Sequence, residues 1–185
     1  TEPNATGGDR EGYIDVETGT VSKRIEIIQY DICGQYDVTA TDFSSRPKAV
    51  SLPGKLIGGD TGSELLFCPD KYNGELQIPM TFDASTNSIK VSAASYCGPY
   101  NNLYVYTVMV AGNTQRYEPQ AIVSGALTKT DDGQFSFELN EGELNGTAIS
   151  GFRLRTFTEQ NPTSSNVKDV IENLKYPKFV RVAAN

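Results

Sequence analysis

Apolar and polar residues alternate with a period of two along most of this chain, which is the signature of half-buried strands. In RIEIIQYDI, Ile25 and Ile27 alternate with Arg24 and Glu26, and QYDVTA places Tyr36, Val38 and Ala40 on one face. ELQIPMTF does the same with Leu76, Ile78, Met80 and Phe82, and SIKVSA with Ile89, Val91 and Ala93. The four residues 84–87 between these two runs predict a hairpin, since Asp83 and Asn87 favour local hydrogen bonds to the backbone. Pro79 lacks an N–H for a ladder and points to an edge strand. LYVYTVMV is apolar on both faces and reads as a central strand.

Further strands follow in IVSGALTKT and FSFEL, joined by Asp131-Asp132-Gly133-Gln134 as a second hairpin, and then in GTAISGFRLRTF and KFVRVA. About nine to ten strands with turn chemistry between them predict an all-β fold, an antiparallel β-sandwich of jelly-roll or Ig-like type. One segment breaks the period. NVKDVIENLKYP puts Val167, Val170, Ile171 and Leu174 at i, i+3, i+4 and i+7, a single helical stripe. Ser164, Ser165 or Asn166 caps it, Asp169 and Lys175 suit the two ends of its dipole, and Pro177 stops it. This predicts one short C-terminal helix plugging an open end of the sandwich.

Composition narrows the chemistry. The net charge of −7, with no basic cluster, disfavours nucleic acid and anionic membranes. No apolar run approaches the ~20 residues of a membrane-spanning helix. The chain has no histidine, which removes the usual general base, metal ligand and partner of a nucleophile. No cofactor and no metal is therefore expected, and catalysis would have to rest on carboxylates, tyrosine, lysine or arginine.

The opening TEPNATGGDREG is polar and rich in glycine, so residues 1–12 are expected to be a flexible tail and 13–185 a single β-sandwich domain. Such a tail suits a tether of the lipoprotein kind. Cys33, Cys68 and Cys97 are each followed by Gly or Pro and are placed at strand ends; three thiols allow one disulfide and a remainder. Their placement, together with the tail, predicts a secreted or cell-surface protein. Two glycosylation sequons, at Asn4 and Asn145, recur too often by chance to add weight.

Four constellations invite a functional reading. Asp60-Thr61-Gly62-Ser63 resembles the active-site tetrapeptide of aspartic proteases, in which paired carboxylates share a proton. The likeness covers four residues in a single copy, and Gly58 and Gly59 stand where those enzymes carry an apolar strand, so a surface loop is expected. The acidic turns around Glu138, Glu141 and Glu143 and at Asp131 and Asp132 lack calcium-loop spacing and are expected to be solvated. Arg153 and Arg155, two apart on one strand, present guanidinium forks on one face, suited to a carboxylate, sulfate or phosphate. The plain alternative is a solvated face whose charges pair with neighbouring Asp or Glu.

The fourth is SYCGPYNNLYVY. Tyr96, Tyr100, Tyr104 and Tyr106 flank Asn101 and Asn102, the mix of flat rings and amides that a sugar-binding surface uses. Tyr104 and Tyr106 are expected to be packed, and SYCGPYNN to be a presented loop anchored by Cys97. The candidate ligand-binding residues are thus Tyr96, Tyr100, Asn101, Asn102, Tyr104, Arg153 and Arg155. They predict a non-catalytic, adhesin-like recognition module for a glycan or protein partner. The alternatives are a fimbrial, surface-layer or capsid subunit that self-assembles through its N-terminal arm and, behind it, a carboxylate-based hydrolase.

Overall fold

A computed structural model describes residues 10–19, 21–29, 32–129 and 134–183. Among the described residues seventeen strands follow in chain order: β1 Arg10–Thr18, β2 Val21–Gln29, β3 Gly34–Thr41, β4 Ala49–Ser51, β5 Gly54–Gly58, β6 Glu64–Pro69, β7 Ile78–Asp83, β8 Ser88–Ser92 and β9 Tyr96–Tyr100. They continue with β10 Leu103–Ala111, β11 Thr114–Arg116, β12 Ile122–Ala126, β13 Thr128–Lys129, β14 Phe135–Glu138, β15 Glu143–Leu144, β16 Thr147–Phe157 and β17 Val167–Arg181. A 3-10 turn, Asp70–Tyr72, joins β6 to the segment before β7.

The expected all-β class holds, and its pairing is antiparallel. The hydrogen-bonded order β11-β10-β16-β17-β3-β5-β6-β7-β8-β12 makes one continuous sheet rather than two separate layers. It curls until its far parts meet: Gln77 N–H donates to the Cys97 carbonyl at 2.7 Å, and Ser124 bridges to Glu141. Side chains confirm the curl. Phe179 of β17 stacks on Phe137 (4.5 Å, 9°) and meets Phe67 of β6 edge-on (5.1 Å, 84°), although two strands separate β17 from β6 in the sheet. Each such pair adds about 0.5–1.5 kcal/mol beyond the area it buries.

The period-two positions line this interior. Tyr36, Val38, Ile78, Met80, Ile89, Val91 and Ala93 are all buried, and Phe82 packs against them. The 84–87 turn lies where the pattern puts it, with the Asp83 carboxylate accepting from Ser85 N–H (2.9 Å) and Oγ (2.6 Å). β13 and β14 pair as the second hairpin requires, with Lys129 opposite Phe135; the turn residues 130–133 lie outside the described residues. β7 is interior to the sheet order rather than at its edge, but its pairing to β8 begins only at Thr81. Pro79 therefore has a ladder neighbour, Leu66, on the β6 side alone.

The helix expected over 167–175 is instead the first half of β17, a strand of 15 residues between β16 and β3. A bulge explains the misleading pattern. Leu154 faces Glu172, but Arg155 faces Val170, so Ile171 is an extra residue and the alternation slips by one. Two alternating runs out of phase imitate an i, i+3, i+4 stripe. Pairing on both sides with β16, β3 and β14 then outweighs local helix preference.

β1 and β2 form a separate two-stranded sheet. Residues 1–9 of the expected tail lie outside the described residues, while Arg10–Gly12 already belong to β1. Among the described residues no helix is long and apolar enough to cross a membrane.

Candidate aromatic and cationic sheet face

β10 has two faces with different destinations. Val105, Thr107, Met109 and Ala111 point into the core, and the Thr107 hydroxyl donates to the Ser92 carbonyl at 2.6 Å. Tyr104, Tyr106, Val108 and Val110 take the other face, the first three opposite Phe157, Arg155 and Arg153 of β16 in that order, and all but Tyr104 are buried there. Because cross-strand partners share a face, this register assembles a strip about 20 Å long, at ~3.3 Å per residue from Tyr104 to Val110. Its two ends differ in chemistry.

The first end is aromatic. Tyr96 from β9 lies 6.3 Å from Tyr104 and 5.2 Å from Tyr106, ring centre to ring centre; Tyr106 meets Phe157 at 5.7 Å, and Tyr117 meets Phe157 at 6.2 Å. Tyr106 is buried, and its hydroxyl donates to the Gln160 carbonyl, which ties the 158–166 loop to β10. Burial, with Tyr96 and Tyr104 beside it, holds its hydroxyl above the usual tyrosine range. Tyr104 is half-buried and Tyr96, on the outer strand of this corner, is 46% exposed. The packing expected for Tyr106 is therefore present, but it belongs to a small outer cluster and not to the main core.

The second end is cationic. The Arg153 guanidinium lies over the Phe43 ring at 5.0 Å, and its Nε donates to Asn173 Oδ1 at 2.9 Å. Burial first, and Arg155 second, lower its affinity for the proton. Arg155 donates from its two amino groups to Gln115 Oε1 (2.6 Å) and the Lys168 carbonyl (2.8 Å), leaving a buried Nε without a partner. Arg116 has a buried, unpartnered Nε as well. Among the described residues, none of Arg153, Arg155, Arg116 and Lys175 forms an ion pair. The carboxylate pairing expected for a plain solvated face is missing.

The remaining sequence candidates go elsewhere. Most of SYCGPYNN is strand β9 and not a loop; Asn101 (φ 50°) and Asn102 (φ 61°) are the two central residues of the tight turn into β10. Both need positive φ, which asparagine tolerates better than most residues. That geometry accounts for the Asn pair without a ligand. Tyr100 turns away from the strip, meets Tyr72 edge-on at 5.6 Å and lines a cavity of about 500 Å³ with Lys71, Glu75 and Ile171. There the buried Glu172 carboxylate accepts from the Tyr72 hydroxyl (2.5 Å) and from Lys71 Nζ. Burial, and then Glu172, raise the Tyr72 pKa above the ordinary value. This carboxylate was invisible in the sequence, where it falls on the polar side of the apparent helix.

The other motifs resolve locally. Asp60 is exposed in the β5–β6 turn, its N–H donating to Glu64 Oε2 at 3.1 Å. Asn145 sits at φ 52° in the β15–β16 turn. Glu138, Glu141 and Glu143 are exposed, and no group of three or more Cys, Asp or Glu converges as a metal site among the described residues. Cys68 and Cys97 carry free thiols, and full enclosure pushes the Cys97 thiol well up.

The fold and this face define an all-β protein with a curled antiparallel sheet and, outside its main core, a small aromatic cluster that shares a strand face with Arg153 and Arg155. No protein-family model, curated protein or solved structure matches the chain.

Proposed function

We propose that this chain is a non-catalytic recognition module of a secreted or cell-surface protein, and that it takes a glycan on the outer face of β9, β10 and β16. The observation that carries this reading is the ledge of exposed Tyr96 and half-buried Tyr104, on the same strand face as arginines that have no carboxylate partner among the described residues. Flat tyrosine rings stack on the apolar faces of sugars, while their hydroxyls and the neighbouring guanidinium groups serve sugar hydroxyls. The test is a broad glycan array with the wild-type chain and with Tyr96→Ala/Tyr104→Ala. Binding that disappears in the double variant supports the reading. An empty array, or binding indifferent to both substitutions, overturns it, and capture of a protein ligand through the same tyrosines would replace glycan by protein.

A second reading, an assembly subunit, is favoured by the β1–β2 hairpin. Tyr13, Ile14, Val16 and Ile25 are 44–55% exposed there, and a lone two-stranded hairpin is marginal in water. Such an arm suits docking on a second copy. Sedimentation of the chain with and without residues 1–29 tests it: a monomer in both cases removes the assembly reading.

A further inference from the structure

We infer that the cationic end of the strip is a binding pocket for one carboxylate of a hydroxyl-rich ligand, a uronic-acid type of sugar unit. This deepens the recognition reading and rests on it for the saccharide character, though not for the charge. A cavity of about 430 Å³ opens where the β3–β4 loop folds over β10, β16 and β17. Arg153 and Lys175 supply its charge, and Ser44, Ser45, Ser150, Asn113 and Gln115 supply its hydroxyls and amides; among the described residues no carboxylate lines it. In a chain of net charge −7, a concavity with two cations and no acid is a departure that calls for an anion.

The geometry selects the kind of anion. Asn173 occupies Nε of Arg153 and Phe43 covers one face of the guanidinium. The two terminal amino groups have no hydrogen-bond partner among the described residues, and together they make the end-on fork that a planar, two-oxygen acceptor matches. Lys175, paired to Gly151, adds a point charge two pairs along the strands from Arg153. The fork and the ammonium take an oxyanion, and the surrounding Ser, Asn and Gln, which suit adjacent hydroxyls, favour a carboxylate carried on a hydroxyl-rich ligand over a bare tetrahedral ion.

The wall of the pocket is preorganised. Asp42 Oδ1 accepts from Ser44 Oγ (2.6 Å), Ser44 N–H (3.2 Å) and Lys48 N–H (3.0 Å), so the loop carrying Phe43 is tied to its own base. Those bonds, led by the Ser44 hydroxyl, hold the Asp42 carboxyl below the usual carboxylate range. A loop ordered in advance loses less entropy when the ligand arrives.

The experiment is an NMR titration of the full chain with sodium glucuronate, glucose and sodium sulfate at fixed ionic strength. Glucuronate is expected to shift the amide signals of Ser150, Arg153, Gln115 and Lys175, with glucose and sulfate at least tenfold weaker. Arg153→Gln and Lys175→Gln should each weaken glucuronate tenfold or more, which is about 1.4 kcal/mol. Lys175 is only half-buried, so its variant keeps the test open if Arg153→Gln fails to fold. Equal binding of glucose, equal binding of sulfate, or a glucuronate response that survives both substitutions overturns the inference. Tyr96→Ala/Tyr104→Ala should leave these pocket shifts in place. An empty glycan array with an intact glucuronate response fails the tyrosine face alone, and the reverse pattern fails the pocket alone.

Discussion

Removing one oxygen, by Tyr72→Phe, tests how the buried Glu172 carboxylate is tolerated. Glu172 is 5% exposed and Tyr72 8%, so neither group recovers water when the other is lost. The ring of Tyr72 keeps its edge-on contact with Tyr100, so no cavity forms and the effect isolates the hydroxyl. A hydrogen bond to a charged acceptor contributes about 1.5–3 kcal/mol, and stranding the acceptor draws on the upper part of that range. Lys71, whose side chain is half exposed, stays on the carboxylate and limits the loss. The expected cost is therefore about 2–3 kcal/mol at pH 7, or on the order of 4–12 °C in melting temperature for a chain of this size.

The same substitution has a pH signature. Tyr72 has a folded pKa raised above its unfolded value of about 10, so its contribution is complete below pH 10 and is lost as pH rises beyond it. Tyr72→Phe carries no such loss, and its deficit against the wild type should shrink between pH 9 and pH 11. Urea unfolding followed by far-UV circular dichroism and tyrosine fluorescence measures both effects, since the chain has no tryptophan and ten tyrosines. In a Glu172→Gln background the cost of Tyr72→Phe should fall to the ~0.5–1.5 kcal/mol of a neutral hydrogen bond. A cost below ~0.5 kcal/mol at pH 7 in the wild-type background, unchanged at high pH, would refute the reasoning.

Phe179→Ala, which removes a ring in contact with both Phe137 and Phe67, should cost about 3–5 kcal/mol by urea unfolding without change in secondary structure. Gly98→Ala would set a Cβ 2.3 Å from the Glu75 carbonyl at φ +122°; a loss of about 1–3 kcal/mol and displaced Tyr96 and Tyr104 signals in NMR are expected. Asp83 is held below its ordinary value of 3.8 by Lys90 and Ser85, so its contribution is present above that value and lost as pH falls through the folded one. Asp83→Asn should accordingly be less stable than wild type at pH 7 and approach it in acid, as thermal melts at pH 7 and pH 2.5 would register.

How far the chain could be read in advance depended on how local each determinant is. Period two placed Tyr36, Val38, Ile78, Met80, Ile89 and Val91 in the core because each lies on an uninterrupted alternation. The 167–175 segment failed because its decisive feature, the extra residue Ile171, exists only against a partner strand 15–20 residues earlier, whereas the strand expected in KFVRVA is the end of β17. At the proposed site, Arg153 and Arg155 could be put on one face from spacing alone, and so could Tyr104 and Tyr106. That Tyr96 joins them, while Tyr100 leaves for Tyr72, is set by pairing β9 to β10 through the Asn101-Asn102 turn. Phe43 and Lys175, which shape the pocket, carry no signal in sequence: the β3–β4 loop and the β16–β17 register bring them to Arg153.

β17 comes last among the described strands yet lies in the middle of the sheet, between β16 and β3. Until it is in place, β16 and β3 each present a bare edge, and the stretch from Gly34 to Phe157 is two half-sheets without a seam. The closing contacts span more than a hundred residues, from Lys175 to Thr41 and from Phe179 to Val38. Sheet closure is then a slow, late event governed by chain topology, and an incomplete chain exposes two strand edges to its neighbours. Expression yield and aggregation should respond more to changes in residues 167–181 than to changes of equal burial anywhere earlier.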